Sequence, residues 1–436
     1  MFWFDVHWQL QHVLHLAWWP LQLLLLAIIV VLGFLAYRSP AHAAGAVLVL
    51  LPTYLIRAKI WFVPVTFLEL CILVVFGGWL LRMLQQRQAI RGYRYPFRNL
   101  ILLILLAATV GMFISSQRIA AAGLWKAYFI EPILFFILLI NIVRRPENRP
   151  TMLWALGLSS LSVSLLAIFQ KYTGFAIPEG SWVAPATRRV TAMFTSPNAV
   201  GLYLAPIITI YAGWFLQSAR RIISLRQIFA QTARLSIFAL AVLATVFTVS
   251  HGTFLGLIAA AVFISFFGIS KRWTTIIAFA LLMALLLIPI TGPKIIALIT
   301  FSDAAGQNRL VLWQGAWDYL NSGIKTFLFG AGLFGFPLLQ EQFRDPLALE
   351  PLLYPHNIIL NFWMEIGLLG VISFAILVIK FFRMNISELH VHPDEKWLRL
   401  GVMAAMVALL AHGLLDVPYF KNDLAILFWT IVALAV

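Results

Sequence analysis

A succession of apolar runs, many of them close to 20 residues long, constrains the fold of this chain more than any other feature. A helix needs about 20 apolar residues to cross the hydrocarbon core of a bilayer. The runs are continuous, which excludes a membrane β-barrel built from alternating segments of about ten residues. Only 11% of the 436 residues are charged, whereas soluble domains carry about 25%. The sequence therefore predicts an all-α polytopic membrane protein.

The apolar runs predict about twelve transmembrane helices, or about thirteen, in one integral membrane domain that covers residues 1–436. No internal repeat and no separate soluble domain is evident. The first span covers about residues 20–37, and residues 43–81 hold either two short spans or one span and a partly inserted segment. Pro52 and Pro64 interrupt that second run. Further spans are predicted near residues 99–115, 125–143, 151–169, 198–217, 235–250, 252–269, 274–292, 356–381, 397–414 and 423–436.

The basic residues decide the orientation of the chain in the membrane. A net charge of +15 raises the question of nucleic-acid binding, but the charges are confined to short loops between apolar runs. That distribution is typical of the cytoplasmic side of a membrane protein, so no nucleic-acid partner is predicted. The four clusters are Arg82, Arg87, Arg91, Arg94 and Arg98; Arg144, Arg145 and Arg149; Arg220, Arg221, Arg226 and Arg234; and Lys271 and Arg272.

This orientation places two larger loops, residues 170–197 and 293–355, on the periplasmic or extracellular face of the cytoplasmic (inner) membrane. Basic residues are uncommon in short loops on that face. Both loops nevertheless carry them, which predicts an anionic ligand at the outer leaflet. They are Lys171, Arg188 and Arg189 in the first loop, and Lys294, Arg309, Lys325 and Arg344 in the second.

The sequence indicates no metal site and no other cofactor. The single Cys71 lies in an apolar run, so neither a disulfide framework nor a cysteine metal cluster is possible. His7, His12 and His15 lie among tryptophans and lack carboxylate or cysteine partners. We interpret that segment as interfacial rather than metal-binding.

Arg188 and Arg189 stand shortly before a predicted helix start. Ser196 followed by Pro197 is typical of an N-cap and a first-turn proline. A guanidinium offers a fixed fork of donors to phosphate oxygens, and a helix N-terminus adds a favourable dipole. The same two arginines could instead reach lipid headgroups, and the residues alone leave both interpretations open.

The long second loop predicts a short amphipathic helix that lies along the membrane interface, with Arg309 at its start. Its aromatic stripe is interpreted as packing rather than as a sugar platform. Residues 330–335 match GxGxxG but do not stand between a strand and a helix, so we predict a tight turn and no dinucleotide site. The apolar residues at helical spacing are Leu310, Trp313, Trp317 and Leu320.

His356 is the candidate general base. It follows Tyr354 and heads a long span in which Asn357, Asn361 and Glu365 share one helix face. Polar groups within a span are costly and usually face a cavity or a partner. An imidazole has an ordinary pKa near 6.5, which suits proton transfer at neutral pH.

Two further polar segments lie beside spans. His251 is predicted at an outer turn between two helices. His412 and Asp416 are predicted to end the twelfth span at positions i and i+4, as a structural pair that closes a cavity.

These segments resemble the O-antigen ligase and O-antigen polymerase superfamily over about residues 185–425. The resemblance implies a GT-C-like membrane fold and an inverting, metal-independent glycosyltransferase. The implied donor is a glycan on undecaprenyl diphosphate. The implied acceptor is the lipid A core oligosaccharide for a ligase, or another lipid-linked repeat for a polymerase. The matching stretches are RRVTAMFTSPNAVG, TVSHGTFLG, NRLVLWQGAWDYL, FGAGLFGF, YPHNIILNFWMEIGLLG and HGLLDVPYFKND.

By the same resemblance, Arg188 or Arg189, together with Arg309, would hold the diphosphate, and His356 would activate the acceptor hydroxyl. His251 stands where the family often has arginine, so one cationic contact is absent or needs a protonated imidazole. Lys171 could replace it. Ala192 stands where the family often has glycine. Tyr354 and Asn357 complete the expected substrate contacts, and the supporting residues are Asn198, Glu365 and Asp416.

The sequence thus favours an O-antigen ligase-like enzyme with membrane lipids around it and a site on the outer face. The alternative within the enzyme class is a polysaccharide polymerase that extends lipid-linked repeats, and no residue separates the two. The rival from another class is a transporter of lipid-linked sugars. Transporters tend to show repeated halves with broken spans at matching positions, which this sequence lacks.

Overall fold

The computed structural model describes residues 3–5, 18–60, 63–86, 95–219, 224–270, 300–343 and 352–436. Within these ranges the chain is mostly helical, and eight helices are long and apolar enough to cross a membrane. The predicted all-α membrane fold is confirmed at that level, while the total of about twelve spans stays a prediction. The histidine-rich N-terminal segment, the span near residues 274–292 and parts of the basic loops lie outside the described residues.

Sixteen helices are described, together with short 3-10 and π turns. They are α1 (Trp18–Arg38), α2 (Pro40–Val49), α3 (Phe67–Gln85), α4 (Arg98–Ile114), α5 (Arg118–Trp125), α6 (Glu131–Val143), α7 (Arg149–Thr173), α8 (Pro197–Ala219), α9 (Leu225–Thr248), α10 (His251–Gly268), α11 (Ala304–Asn321), α12 (Ile324–Phe329), α13 (Phe336–Leu339), α14 (Ile358–Val391), α15 (Lys396–Gly413) and α16 (Asn422–Leu434). The eight candidate spans are α1, α3, α5 joined to α6, α7 with its preceding turn, α8, α9, α10 and α14.

A small antiparallel sheet, not predicted from the sequence, lies near the N-terminus. Its strands are β1 (Trp3–Asp5), β2 (Arg57–Ile60) and β3 (Val63–Thr66), in the order β1–β2–β3. Of α2 and α3, which cover much of residues 43–81, only α3 is long and apolar enough to cross a membrane, which favours one span and a partly inserted segment. Pro64 lies in the edge strand β3, a position where a missing N–H is tolerated.

Helix α8 lies at the centre of the bundle. Most of its side chains are buried, and it packs closely on α15. A Cβ atom on Gly213 would stand 2.7 Å from the Cα of Gly401, so the two helices cross at a point where only glycine fits on both sides. This crossing fixes the first part of α15 against the last part of α8.

Six helices, α7 to α10, α14 and α15, each have one end in the same region of the bundle. The end of α7, the start of α8, the turn between α9 and α10, the start of α14 and the end of α15 all carry candidate residues. Helix α7 has 25 residues, a length of about 37 Å, and its first residue lies at the opposite end of the bundle. The bundle therefore has two polar ends, which we call the His356 end and the Arg145 end.

Candidate active site

His356 and Asp416 form a pair at the His356 end. The imidazole Nδ1 lies 3.2 Å from Asp416 Oδ1, and the His356 side chain keeps 22% of its surface exposed while Asp416 keeps 6%. The backbone N–H of Val417 donates to the same carboxylate oxygen at 2.8 Å. Burial alone would raise the pKa of the Asp416 carboxyl. The imidazoles of His356 and His412 and the ammonium of Lys421 outweigh it, so the pKa lies below its usual range.

The segment Leu414–Asp416 gathers three candidates. Asn357 Nδ2 donates to the Leu414 carbonyl at 3.4 Å, and Arg309 Nε donates to the Leu415 carbonyl at 3.2 Å. Together with the pair of His356 and Asp416, these contacts connect three consecutive residues, Leu414 to Asp416, to side chains of α11 and of the start of α14. Sequence reasoning named Asp416 but missed Leu414 and Leu415, because their contacts are made by carbonyl groups, which every residue carries.

Asp416 does not share a helix with His412, and this prediction was wrong. Helix α15 ends at Gly413, so Asp416 lies in the loop beyond it and pairs with His356. His412 is 2% exposed, and its Nδ1 has no hydrogen-bond partner among the described residues. A Cβ on Gly252 would overlap the His412 ring, so the turn that carries His251 lies directly against it.

Arg309 lies in the second turn of α11, not at its start as predicted. The helix begins earlier because Asp303 caps it by accepting from the Gly306 N–H at 2.8 Å. The buried face also differs from the predicted stripe. Leu312, Ala316 and Leu320 are buried, whereas Leu310 is 40% and Trp317 50% exposed.

Trp313 ties α11 to the His356 turn. Its indole Nε1 donates to the Pro355 carbonyl at 2.9 Å. His356 itself has a φ of 53°, a left-handed conformation that is uncommon for non-glycine residues. Such conformations persist only where the surroundings enforce them, and they concentrate at functional sites. The indole hydrogen bond and the Asp416 pair supply that enforcement.

Arg188 and Arg189 have different surroundings. Arg188 is 8% exposed and donates to the carbonyls of Val183 and Lys171 at 2.8 and 2.9 Å. It therefore closes its own loop, and Lys171 returns a hydrogen bond to the Arg188 carbonyl at 3.0 Å. The two neighbouring guanidinium groups therefore have separate partners.

Arg189 reaches the turn between α9 and α10. It donates to the carbonyls of Thr248 and Val249 at 2.9 and 3.3 Å, shortly before His251. Its guanidinium also lies 5.8 Å from the centre of the Trp182 ring, and burial lowers its pKa. Of the two arginines, Arg189 is the one that adjoins the His251 turn.

The predicted polar stripe on α14 divides into two parts. Asn357 is the N-cap of the helix and accepts from the N–H groups of Ile359 and Leu360 at 3.0 and 3.1 Å. Asn361 and Glu365, which are 1% and 3% exposed, line a cavity of about 40 Å³ together with Tyr354. Ligand pockets are commonly about 300–1,000 Å³, so this cavity has room for water but not for a sugar.

The predicted tight turn at residues 330–335 is confirmed. Gly330 and Gly332 have φ angles of 71° and 83°, which favour glycine. The turn is fastened to α14: the N–H groups of Ala331 and Gly332 donate to the Met364 carbonyl at 2.7 and 3.1 Å, and the Phe334 N–H donates to Glu365 Oε2 at 2.7 Å. Glu365 thus positions the turn and makes no hydrogen bond to His356.

The Met364 carbonyl is available to this turn because α14 is kinked. Gly367 has a φ of 71° inside the helix, which breaks the regular pattern of backbone hydrogen bonds next to Met364. The N–H groups of the glycine turn therefore satisfy the Met364 carbonyl that the kink in α14 leaves without a helical partner.

Tyr354 and Asn198 complete the set of candidates. The Tyr354 ring lies edge-on to the His356 ring with 5.6 Å between their centres, and burial raises the pKa of its phenol. Asn198 lies in the first turn of α8, where Ser196 acts as the predicted cap by accepting from the Ala199 N–H at 3.3 Å. No hydrogen bond joins Asn198 to another candidate in the described ranges.

The arrangement suits proton transfer and the binding of an anion. A hydrogen-bonded His–Asp pair can present a neutral imidazole nitrogen. Arg309 places positive charge on the Leu414–Asp416 segment, and Arg189 places it on the turn that carries His251. No cluster of three or more potential metal ligands is found in the part of the chain that the structure describes.

A family model described as O-antigen ligase matches residues 236–375. No curated protein matches the chain. The matched residues include His251, Arg309 and His356, whereas Arg188, Arg189 and Asp416 lie outside them. The match confirms the resemblance to the O-antigen ligase and O-antigen polymerase superfamily over this segment.

Proposed function

We propose that this protein is a membrane glycosyltransferase that moves a glycan from undecaprenyl diphosphate to an acceptor hydroxyl, with inversion at the anomeric carbon. The observation that carries the proposal is the His356–Asp416 pair beside the Arg309 anchor on Leu415. The family match over residues 236–375, which contain both His356 and Arg309, supports the same class of reaction.

His356 is the proposed base. With Nδ1–H directed at Asp416 Oδ1, the other ring nitrogen, Nε2, carries the free lone pair. The Val417 N–H donates to the same carboxylate oxygen and fixes it in place, so the imidazole is held in one tautomer and one orientation. A base held in this way commonly contributes a factor of about 10²–10⁴ to a rate.

Arg309 and Arg189 are the proposed donors to the diphosphate. Arg309 uses Nε to hold the Leu415 carbonyl, its one hydrogen bond within the described residues, and a guanidinium has five N–H donors in all. The remaining N–H groups are available to phosphate oxygens. Fixed cations of this kind stabilise the negative charge that grows on the leaving group. Arg188, whose guanidinium closes its own loop, has a structural role in this scheme.

The reaction is a single in-line displacement. The acceptor oxygen forms a bond to the anomeric carbon as the bond from that carbon to the diphosphate oxygen breaks. The hydroxyl proton passes to His356 Nε2, and the lipid diphosphate leaves with the electron pair. One displacement inverts the anomeric configuration, and the charges that it needs come from arginine side chains.

The test is transfer by purified protein in lipid nanodiscs. A defined undecaprenyl diphosphate glycan is offered with lipid A core oligosaccharide, or with a second lipid-linked repeat, in the presence and absence of a chelator. We expect transfer by the wild type with or without chelator, and a loss of about a thousandfold for His356→Ala. The matched control is His392→Ala, because His392 is 56% exposed beyond the other end of α14.

The products separate the candidate functions. Glycan on lipid A core identifies a ligase, and a longer chain on the lipid diphosphate identifies a polymerase. Movement of the intact lipid-linked glycan between leaflets, with no new covalent product, would replace the enzyme with a transporter. Near-normal transfer by His356→Ala would remove His356 from the mechanism.

A further inference from the structure

A second polar cavity lies at the Arg145 end, far from the candidate active site. It has a volume of about 340 Å³ and is formed where α1, α3 and α6 end and where α2 begins. Four arginines line it, and none of the described lining residues is acidic. We call it the arginine cavity; the arginines are Arg38, Arg82, Arg144 and Arg145.

The positive-inside rule explains why arginines are found at this end of the bundle, but it does not explain a cavity. Arginines that only set topology point separately into solvent. Here they converge from three helix ends that are distant in sequence, in a concave site where mutual repulsion is strongest. An arrangement of four like charges without a carboxylate is stabilised by a bound anion.

The start of α2 adds to this positive potential. Ser39, Pro40 and Ala41 line the cavity, and α2 has ten residues. The Ser39 side chain makes no capping hydrogen bond to the first turn and instead lies 2.6 Å from His42 Nδ1. The N–H groups of an uncapped first turn and the helix dipole both favour an anion there.

The arginines divide into fixed and available groups. Arg82 donates to the carbonyls of Tyr37 and Arg38 at 3.0 and 2.6 Å, so it closes the end of α1. Arg145 is exposed, and its guanidinium makes no hydrogen bond or ion pair with any other described residue. Arg38 is also exposed and lies over the Phe34 ring at 5.5 Å.

We propose that the arginine cavity binds a phosphate group, carried either by an anionic lipid headgroup or by free inorganic phosphate. Arginine forks match phosphate oxygens in geometry and charge. The surroundings favour the lipid, because α1 presents exposed apolar side chains next to the cavity, among them Val30, Val31 and Phe34. Basic pockets between membrane helices on the cytoplasmic side are suited to phospholipid headgroups.

The proposal is independent of the proposed glycosyl transfer, since α7 separates the two sites by about 37 Å along its axis. Its test therefore measures binding. Purified protein in a neutral detergent is titrated with short-chain phosphatidylglycerol, short-chain phosphatidylcholine or inorganic phosphate. The readouts are the melting temperature, which rises when a ligand binds the folded state, and the lipid count by native mass spectrometry.

We expect phosphatidylglycerol to bind the wild type, and Arg38→Ala and Arg145→Ala each to weaken that binding about tenfold, as loss of one charge-assisted hydrogen bond does. Arg226→Ala is the matched control, because Arg226 is exposed at the start of α9 at the same end of the bundle. Unchanged melting temperatures without ligand show that both cavity variants are folded.

The three probes distinguish the sources of the phosphate. Binding of phosphatidylglycerol alone assigns the cavity to a lipid headgroup, and arginine-dependent binding of inorganic phosphate as well assigns it to the phosphate group itself. The proposal is overturned if Arg38→Ala and Arg145→Ala bind phosphatidylglycerol as the wild type does, or if phosphatidylcholine binds equally well.

Discussion

The two ends of the helix bundle both gather arginines, but they hold them differently. At the His356 end, Arg188, Arg189 and Arg309 each donate to backbone carbonyls of neighbouring turns. In the arginine cavity, Arg82 does the same, whereas Arg38 and Arg145 remain exposed. A guanidinium held by carbonyls is pre-oriented, which suits charge that appears during a reaction. An exposed one adapts to its ligand, which suits the binding of a stable anion.

After the loss of His356 itself, the largest effect is expected from the residue that orients the base. Asp416→Asn should lower the transfer rate about a hundredfold, because an amide can present its N–H to Nδ1 and favour the wrong imidazole tautomer. Steady-state rates measure this, with Asp394→Asn as control, since Asp394 is exposed in the turn between α14 and α15. A variant with the wild-type rate would show that Asp416 does not act through His356.

The same carboxylate also links stability to pH. Because the folded-state pKa of Asp416 lies below its usual range, the ionised group contributes stability above about pH 4, the unfolded value. That contribution is lost as the pH falls through the folded pKa. Asp416→Asn should therefore lower the melting temperature at pH 7 and flatten its dependence on pH below about 4. Parallel curves for the two proteins would contradict this.

Arg188 provides the sharpest contrast between structural and functional arginines. Arg188→Ala leaves the carbonyls of the half-buried residues Lys171 and Val183 without their donor, which should cost about 2 kcal/mol of stability. The affinity for the donor glycan should stay unchanged in the protein that remains folded. Thermal unfolding and the donor KM measure the two effects. A raised donor KM with an unchanged melting temperature would place Arg188 on the diphosphate instead.

Arg309→Lys keeps the charge but removes the fork. We expect the donor KM to rise about tenfold, the equivalent of about 1.4 kcal/mol, with little change in the melting temperature. Arg145→Lys at the opposite end is the control and should leave the donor KM unchanged. Equal donor KM values for Arg309→Lys and the wild type would assign Arg309 a structural role.

The smallest effect concerns backbone strain at the His356 end. Ala192 has a φ of 48°, and Gln170 holds its N–H and carbonyl at 2.7 and 2.8 Å. Ala192→Gly should relieve about 1–2 kcal/mol of strain and add about 0.5–1 kcal/mol of chain entropy cost. A gain in melting temperature equivalent to about 0.5 kcal/mol is expected. A loss of stability would mean that the strain at this position is negligible.

The sequence predicted the helical membrane fold, because apolar run length is a local pattern, and it singled out His356 as a candidate because a polar stripe on one helix face is another. It could not predict the partner of His356, since Asp416 lies 60 residues away and its pairing depends on where α15 ends. Nor could it separate Arg188 from Arg189, which are adjacent in sequence but donate to the carbonyls of different, distant residues. The spacing of apolar residues predicted the start of α11 at Arg309. It overlooked Asp303, whose side chain caps the helix at an earlier position.

The kink at Gly367 has a consequence for how substrates enter. The Met364 carbonyl depends on the N–H groups of Ala331 and Gly332, and an unsatisfied carbonyl within a bilayer costs several kcal/mol. Lifting the glycine turn away from α14 would expose that carbonyl and the Glu365 carboxylate together. We therefore expect this part of the long loop to stay in place on α14 while a substrate enters, rather than to open as a gate.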